Sequence, residues 1–276
     1  MIKPVTEAEI LRHFPRRNSY TPDDARVVCG EFPIFAEQLL EGVSEIRVSA
    51  TFRDDRDWAR NAVKDWKHVS DKPVFSGGPA FSDPGGEFTP GLYLKRGYTI
   101  TSRGCPNKCW FCSVWKTEGR VIRELEIKPG HTIQDNNLLA CSRDHIEAVF
   151  AMLKTQRAAS FPGGIEAARL EPWHLDLFAS IKVHAVWLAD DEPGEHATVL
   201  RAVAMLKEVG LSPNQIRCYV LSNFPGDSTN AAEARCLDLL RAGCNPFMML
   251  WKKEPAWRDV QRTWTRPACY VGMLNG

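Results

Sequence analysis

From residue 98 to residue 251 the sequence alternates short β-rich runs with segments of helical spacing, and few architectures accommodate that alternation. "GYTITS", "HTIQD", "AASFPGGIE", "VHAVWLADD", "IRCYVLSN" and "NPFMMLW" read as six strands. "RDHIEAVFAMLKTQ", "EPWHLDLFASI", "GEHATVLRAVAMLKEVG" and "STNAAEARCLDLLRAG" read as the intervening helices. Apolar strands separated by amphipathic helices make βαβ crossovers and therefore a parallel sheet.

Six such units within about 150 residues predict an α/β fold, a partial (β/α)6 barrel of TIM type spanning 96–250. An open doubly wound sheet has the same local pattern. Ahead of it, 45–76 reads as strand, helix, strand, so 1–95 is expected to be a small, truncated α/β extension. The extension ends in "GGPAFSDPGGEFTPG", whose five Gly and three Pro break any regular element. A linker is one reading of 77–97. The other is an ordered loop over a site, anchored by Phe81, Phe88 and Tyr93 and closing a substrate chamber. Residues 251–276 form the expected helical tail.

Small and polar residues gather just after the strands, where parallel α/β folds carry their ligand sites. Cys105–Cys112 follow the first strand and Asp135, Asn136 and Asn137 the second. Gly163, Gly164 and Glu166 follow the third, Asp190 and Asp191 the fourth, and Asn223 the fifth.

Composition narrows the class. The net charge is +1 and 44% of residues are hydrophobic, so no global basic field argues for nucleic acid or a charged membrane surface. No apolar run approaches the roughly 18 residues of a membrane span, and the polar N-terminus does not read as a secretory signal. The expected compartment is the cytoplasm, where nine cysteines stay reduced and available to metals.

Three of those cysteines lie within "GCPNKCWFC", spaced Cys-x3-Cys-x2-Cys. Three nearby thiolates can serve a zinc site, a redox dithiol or an iron–sulfur cluster. Structural zinc takes four ligands, commonly as two separated pairs, and no second pair exists; His131 is the nearest fourth donor. A dithiol of Cys109 and Cys112 leaves Cys105 without a role. A cubane with three protein thiolates keeps one iron open to a small molecule.

The segment resembles the signature of the radical S-adenosylmethionine (SAM) superfamily, which has this spacing and an aromatic residue before the last cysteine. "QDNNLLAC", "FPGGIEAARL", "RCYVLSNFPGDS" and "PFMMLWK" resemble later segments of short radical SAM proteins, in the same order. The resemblance implies that Cys105, Cys109 and Cys112 ligate a [4Fe-4S] cluster and that Phe111 lies against the SAM adenine. It further implies a one-electron donor of flavodoxin or ferredoxin type and hydrogen abstraction from a substrate that remains unnamed. Many members hold the SAM amino group with a Gly-Gly-Glu-like segment. Here Asp135 and Asn137 stand in that place, and Asp135 is assigned the contact. Glu166 and Asp190 are candidates for the SAM ribose or amino group, or for substrate; helix capping is their other reading. Arg169 suits the SAM carboxylate, or is a surface charge.

Other features bear on partners. "FSGGPAF" resembles the tail of a cobalamin-binding domain, but the Asp-x-His-x-x-Gly motif is absent and two strands are too few, so no cobalamin is expected. In the tail, Trp251, Trp257 and Trp264 alternate with basic residues, a pattern that can bind single-stranded nucleic acid and motivates the alternative of a radical SAM enzyme that modifies a nucleic-acid base. Trp257, Val260 and Trp264 share a helical face, which predicts docking on the core instead. Outside the enzyme class, the competing reading is a Cys-rich zinc-binding interaction module. The six dispersed cysteines, Cys29, Cys141, Cys218, Cys236, Cys244 and Cys269, are expected to be buried small hydrophobes.

Overall fold

The structure is a computed structural model describing residues 9–265. Contacts divide the chain into two units, one of Met1–Lys108 with Cys112–Lys128, the other of Cys109–Phe111 with Pro129–Gly276. The expected boundary between 95 and 96 thus falls inside the first unit.

The first unit holds a four-stranded, wholly parallel sheet of order β2-β1-β3-β4, with β1 at Ile10–Phe14, β2 at Val27–Cys29, β3 at Glu45–Ser49 and β4 at Val74–Gly77. Helix α1, Arg56–Val69, packs Ala59, Ala62 and Trp66 into a core with Leu11, Ile46 and Val48. The sequence identifies β3, α1 and β4. It does not identify β1 or β2, and the extension holds a four-stranded sheet where two strands were expected. The reason is chemical: β1 is buried along its whole length although it contains Arg12 and His13.

Both buried polar side chains find partners locally, although Arg12 Nε is left without one. Arg12 donates through Nη1 to the carbonyls of Gly91 (2.9 Å) and Leu92 (3.3 Å) and pairs with Asp24. The Trp66 indole N–H donates to His13 Nδ1 at 3.0 Å, which leaves Nε2 to donate to the Gly30 carbonyl at 3.2 Å. That pair of bonds requires a neutral imidazole, and burial lowers the His13 pKa to about 4.

The Gly/Pro-rich segment is not a linker within this unit. Arg103 Nε donates to Gly86 O at 2.9 Å, and Arg123 Nη1 and Nη2 donate to Gly85 O (3.0 Å) and Pro84 O (2.6 Å). Phe88 is buried, Phe81 packs against the sheet core, and the Tyr93 hydroxyl accepts from Arg47 at 3.1 Å. Beyond it the expected strand "GYTITS" is broken in two, β5 at Tyr98–Thr99 and β6 at Ser102–Arg103. After a one-turn helix α2 (Val114–Thr117), β7 (Arg123–Glu124) returns antiparallel to β6, pairing Ser102 with Glu124 and Arg103 with Arg123.

In the second unit the elements run β8 (Thr132–Ile133), α3 (Arg143–Lys154), β9 (Ala159–Phe161), α4 (Pro172–Ala179) and β10 (Val183–Asp190). They continue with α5 (His196–Glu208), β11 (Ile216–Ser222), α6 (Thr229–Ala242), β12 (Asn245–Leu250) and α7 (Pro255–Trp264). Five parallel strands lie in the order β12-β11-β10-β9-β8. Each crossover advances by one strand without the reversal that marks a doubly wound sheet. Among the described residues no barrel closes. Ser142 and Ser228 cap α3 and α6 by accepting backbone N–H bonds, and Phe150, Phe161 and Phe178 form the aromatic centre of the core.

The predicted tail helix docks. Trp257 and Trp264 of α7 are buried, the Trp264 indole donates to Glu233 at 3.1 Å, and Gln261 donates to the Met248 carbonyl at 3.2 Å. Cys269 lies outside the described residues. No described helix is long and apolar enough to cross a membrane.

The His13 arrangement sets an acid limit. Its folded pKa lies below the unfolded value near 6.5, so the unfolded chain binds a proton that the native one refuses. Stability is full above pH 6.5 and falls as the pH drops toward 4, by roughly 2–3 kcal/mol from this group. Denaturant titrations at pH 7 and pH 4.5 should show that loss in the wild type and a smaller loss in His13→Gln; equal losses would refute a neutral buried imidazole.

Candidate functional site

The cysteine segment is shaped by the residues that flank it. Gly104 has φ +87°, and a Cβ there would lie 2.4 Å from the Val121 carbonyl oxygen, so only glycine fits before Cys105. Cys105 N–H donates to Gly119 O at 3.1 Å, and the Arg120 guanidinium donates to Pro106 O at 3.2 and 3.3 Å. Cys112 precedes α2, whose first N–H, from Val114, points at the Cys112 sulfur at 3.5 Å. A backbone donor of this kind favours a thiolate. Lys108 and Lys116 lie over the Trp115 ring at 5.3 and 4.9 Å. Cys105, Cys109 and Cys112 are each half-buried.

The remaining thiols differ. Cys218, Cys236 and Cys244 are fully buried, and desolvation pushes their pKa values up, that of Cys236 to about 12. They stay protonated, as expected of small core residues. Cys29 and Cys141 do not belong with them: Cys29 is half-buried because the short strand β2 is only partly covered, and Cys141 has polar neighbours. Cys141 is half-buried and, with Asp135 and His145, belongs to a group whose ligating atoms all lie within 4.8 Å of one another.

In the second unit the strand ends bring three of the expected residues together. Asn137 Nδ2 donates to Glu166 Oε2 at 2.5 Å, and Arg169 Nε donates to the same oxygen at 2.7 Å. Gly163 makes this possible, since a Cβ on it would lie 2.3 Å from the Asp135 carbonyl oxygen. Asp135 is buried at the same turn.

Asp190 is placed differently. It has no solvent exposure, and its Oδ2 accepts from His196 Nδ1 at 2.8 Å, on the α5 side of the sheet. Burial raises its pKa, and His196 and Arg235 oppose the rise. Asp191 follows directly at the end of β10. Burial, reinforced by Glu195 and Asp190, raises the Asp191 pKa to about 7.

The three residues that follow Asp191 in sequence, Glu192, Pro193 and Gly194, line a cleft of about 420 Å³ together with Trp110, Phe224 and Pro225. Trp110 makes edge contacts with Phe111 (5.4 Å), Trp251 (5.0 Å) and Phe224 (6.2 Å). The sequence places Asp191 among the residues after the fourth strand, but it does not single out Trp110, Glu192 or Phe224. The position of Trp110 directly after Cys109 was the available signal for the cleft.

Asp191 gives a test of this electrostatic picture. Its raised pKa means that the neutral form is favoured in the folded protein. Stability is fully present below the unfolded carboxyl value near 4 and is lost as the pH rises through about 7. Asp191→Asn should therefore be more stable than wild type at pH 8, by roughly 1–3 kcal/mol, with the gap closing below pH 4. A gap independent of pH would disprove the raised value.

No protein-family model and no curated protein matches the sequence. The fold is similar to that of the radical S-adenosylmethionine methyltransferase TsrM from Kitasatospora setae, solved with cobalamin and a [4Fe-4S] cluster bound. The TM-score is 0.64 at 12% sequence identity, over 87% of this chain and 74% of that one. At that identity the likeness establishes a shared α/β fold with parallel sheets.

Proposed function

We propose that this chain is a radical SAM enzyme in which Cys105, Cys109 and Cys112 hold a [4Fe-4S] cluster and the parallel strands of the second unit supply part of a (β/α)6 barrel. The observation that carries this reading is a Cys-x3-Cys-x2-Cys segment in a chain whose fold is that of a radical SAM methyltransferase. The donor set suits the group: three half-buried thiols, a glycine-enforced turn before the first, and an N–H aimed at the last. A cluster held there would supply one-electron reduction of SAM, drawn from a flavodoxin- or ferredoxin-like donor, for hydrogen abstraction from substrate.

The chain's own residues bind and orient. Glu166, with Asn137 and Arg169 fixing one carboxylate oxygen, is the acceptor for the SAM ammonium, and Phe111 supplies the ring for adenine. Asp190, turned to His196, is a poor ligand group on this reading. The cleft at Trp110 and Phe224 takes substrate, and its aromatic walls exclude water from the reacting atoms.

Anaerobically reconstituted protein should contain about four irons per chain, and Cys109→Ala should lose them while Cys244→Ala keeps them. With reductant and SAM deuterated at C5′, the wild type should release labelled 5′-deoxyadenosine. Full iron retention by Cys109→Ala would sink the proposal, and a colourless zinc protein would favour the interaction module.

One observation favours a second reading. The absence of cobalamin was expected partly from a shortage of strands, and the first unit has four where two were expected. The similar structure carries cobalamin and is a methyltransferase. On this reading the first unit binds cobalamin and the reaction is methyl transfer. Equilibrium dialysis against hydroxocobalamin tests it: a stoichiometric complex supports the second reading, and no retention supports hydrogen abstraction alone.

A further inference from the structure

We infer that Asp135, Cys141 and His145 form a second metal site, for a zinc-class divalent ion, separate from the three-cysteine segment. Their carboxylate, thiol and imidazole donor atoms all lie within 4.8 Å of one another. A tetrahedral ion with bonds of about 2.0–2.3 Å needs donors roughly 3.3–3.8 Å apart, so side-chain adjustment on the scale of a rotamer closes the shell. A mixed sulfur, nitrogen and oxygen set suits a borderline ion such as zinc better than magnesium or calcium, which take oxygen alone. Three protein donors leave a fourth position for water or a substrate heteroatom.

The backbone holds each donor independently of a metal. Asp135 stands just past β8, where its carbonyl fills the space a Gly163 side chain would take. The 3-10 turn Leu138–Ala140 follows, and Cys141 N–H closes it by donating to Leu138 O at 3.1 Å. Ser142 then caps α3 by accepting from the His145 N–H at 3.3 Å, which places His145 in the first helical turn, four residues after Cys141. Asp135 and His145 are only 2% and 8% exposed, so the donors converge inside the β8–α3 turn rather than on open surface. The spacing Asp-x5-Cys-x3-His matches neither of the paired zinc patterns, and for that reason the sequence alone does not reveal it. The assignment takes Asp135 out of the SAM contacts, leaving the ammonium to Glu166.

The test uses the full chain carrying Cys105→Ala, Cys109→Ala and Cys112→Ala, so that its result does not depend on the cluster. Anaerobic titration with Co²⁺ should give one equivalent bound, with a thiolate-to-cobalt charge-transfer band that one equivalent of Zn²⁺ abolishes. Adding Cys141→Ser should remove the band, His145→Gln or Asp135→Asn should weaken Co²⁺ at least tenfold, and Cys29→Ala should change nothing. In the otherwise wild-type chain, Zn²⁺ should slow alkylation of Cys141 by iodoacetamide at least tenfold, a readout that needs no variant to fold. Absence of the band, its persistence in Cys141→Ser, or alkylation of Cys141 unaffected by Zn²⁺ would overturn the site.

Discussion

The carbonyl oxygen of Asp135 occupies the space where residue 163 would carry a Cβ, and much of the second unit's polar rim depends on that contact. Only glycine lets the loops after β8 and β9 approach so closely. With the approach made, Asn137 reaches across to Glu166, and Arg169 neutralises the carboxylate that receives it. The same contact fixes the backbone of Asp135 beside Cys141 and His145. A steric fact at one residue thus positions two groups of polar side chains, whose charges would be costly to bury if they were left apart.

The parallel α/β character of 129–264 was legible because its helices are amphipathic and its strands apolar, two periodicities that do not imitate each other. The N-terminal sheet was half legible. β3, α1 and β4 follow the same rules, but β1 hides an arginine and a histidine, and a pattern of apolar residues cannot see that Gly91, Leu92 and Trp66 give them hydrogen-bond partners. β2 is three residues long, too short for any periodicity. At the rim, Asn137, Glu166 and Arg169 were readable as a group because each follows a strand. Asp190 and Asp191 were both readable as strand-end carboxylates, but the His196 partner of the one and the raised pKa of the other were not. Cys141 was grouped with the core thiols because isolation in sequence says nothing of proximity to Asp135 and His145 in space.

Burial sorts the cysteines by chemistry. Cys218, Cys236 and Cys244 sit where a thiolate would be desolvated, and their raised pKa values keep them out of competition for iron or zinc. Cys105, Cys109, Cys112 and Cys141 are half-buried, with polar backbone or side-chain groups at hand. A chain with nine cysteines can thereby direct metals to a few of them without disulfides to sequester the rest.

Helix α7 also guards against self-association. β12 ends the run β12-β11-β10-β9-β8, and an outer strand offers unpaired N–H and C=O groups to any extended segment of another molecule. Trp257 and Trp264 anchor α7 in the core, and Gln261 donates its amide to the Met248 carbonyl of that strand. The chain covers its own sheet margin with a helix made after the strand it covers. A nascent polypeptide that has completed β12 but not yet α7 presents an open template, so solubility during synthesis rests on ten residues that contribute nothing to the strand ends where the chemistry is proposed.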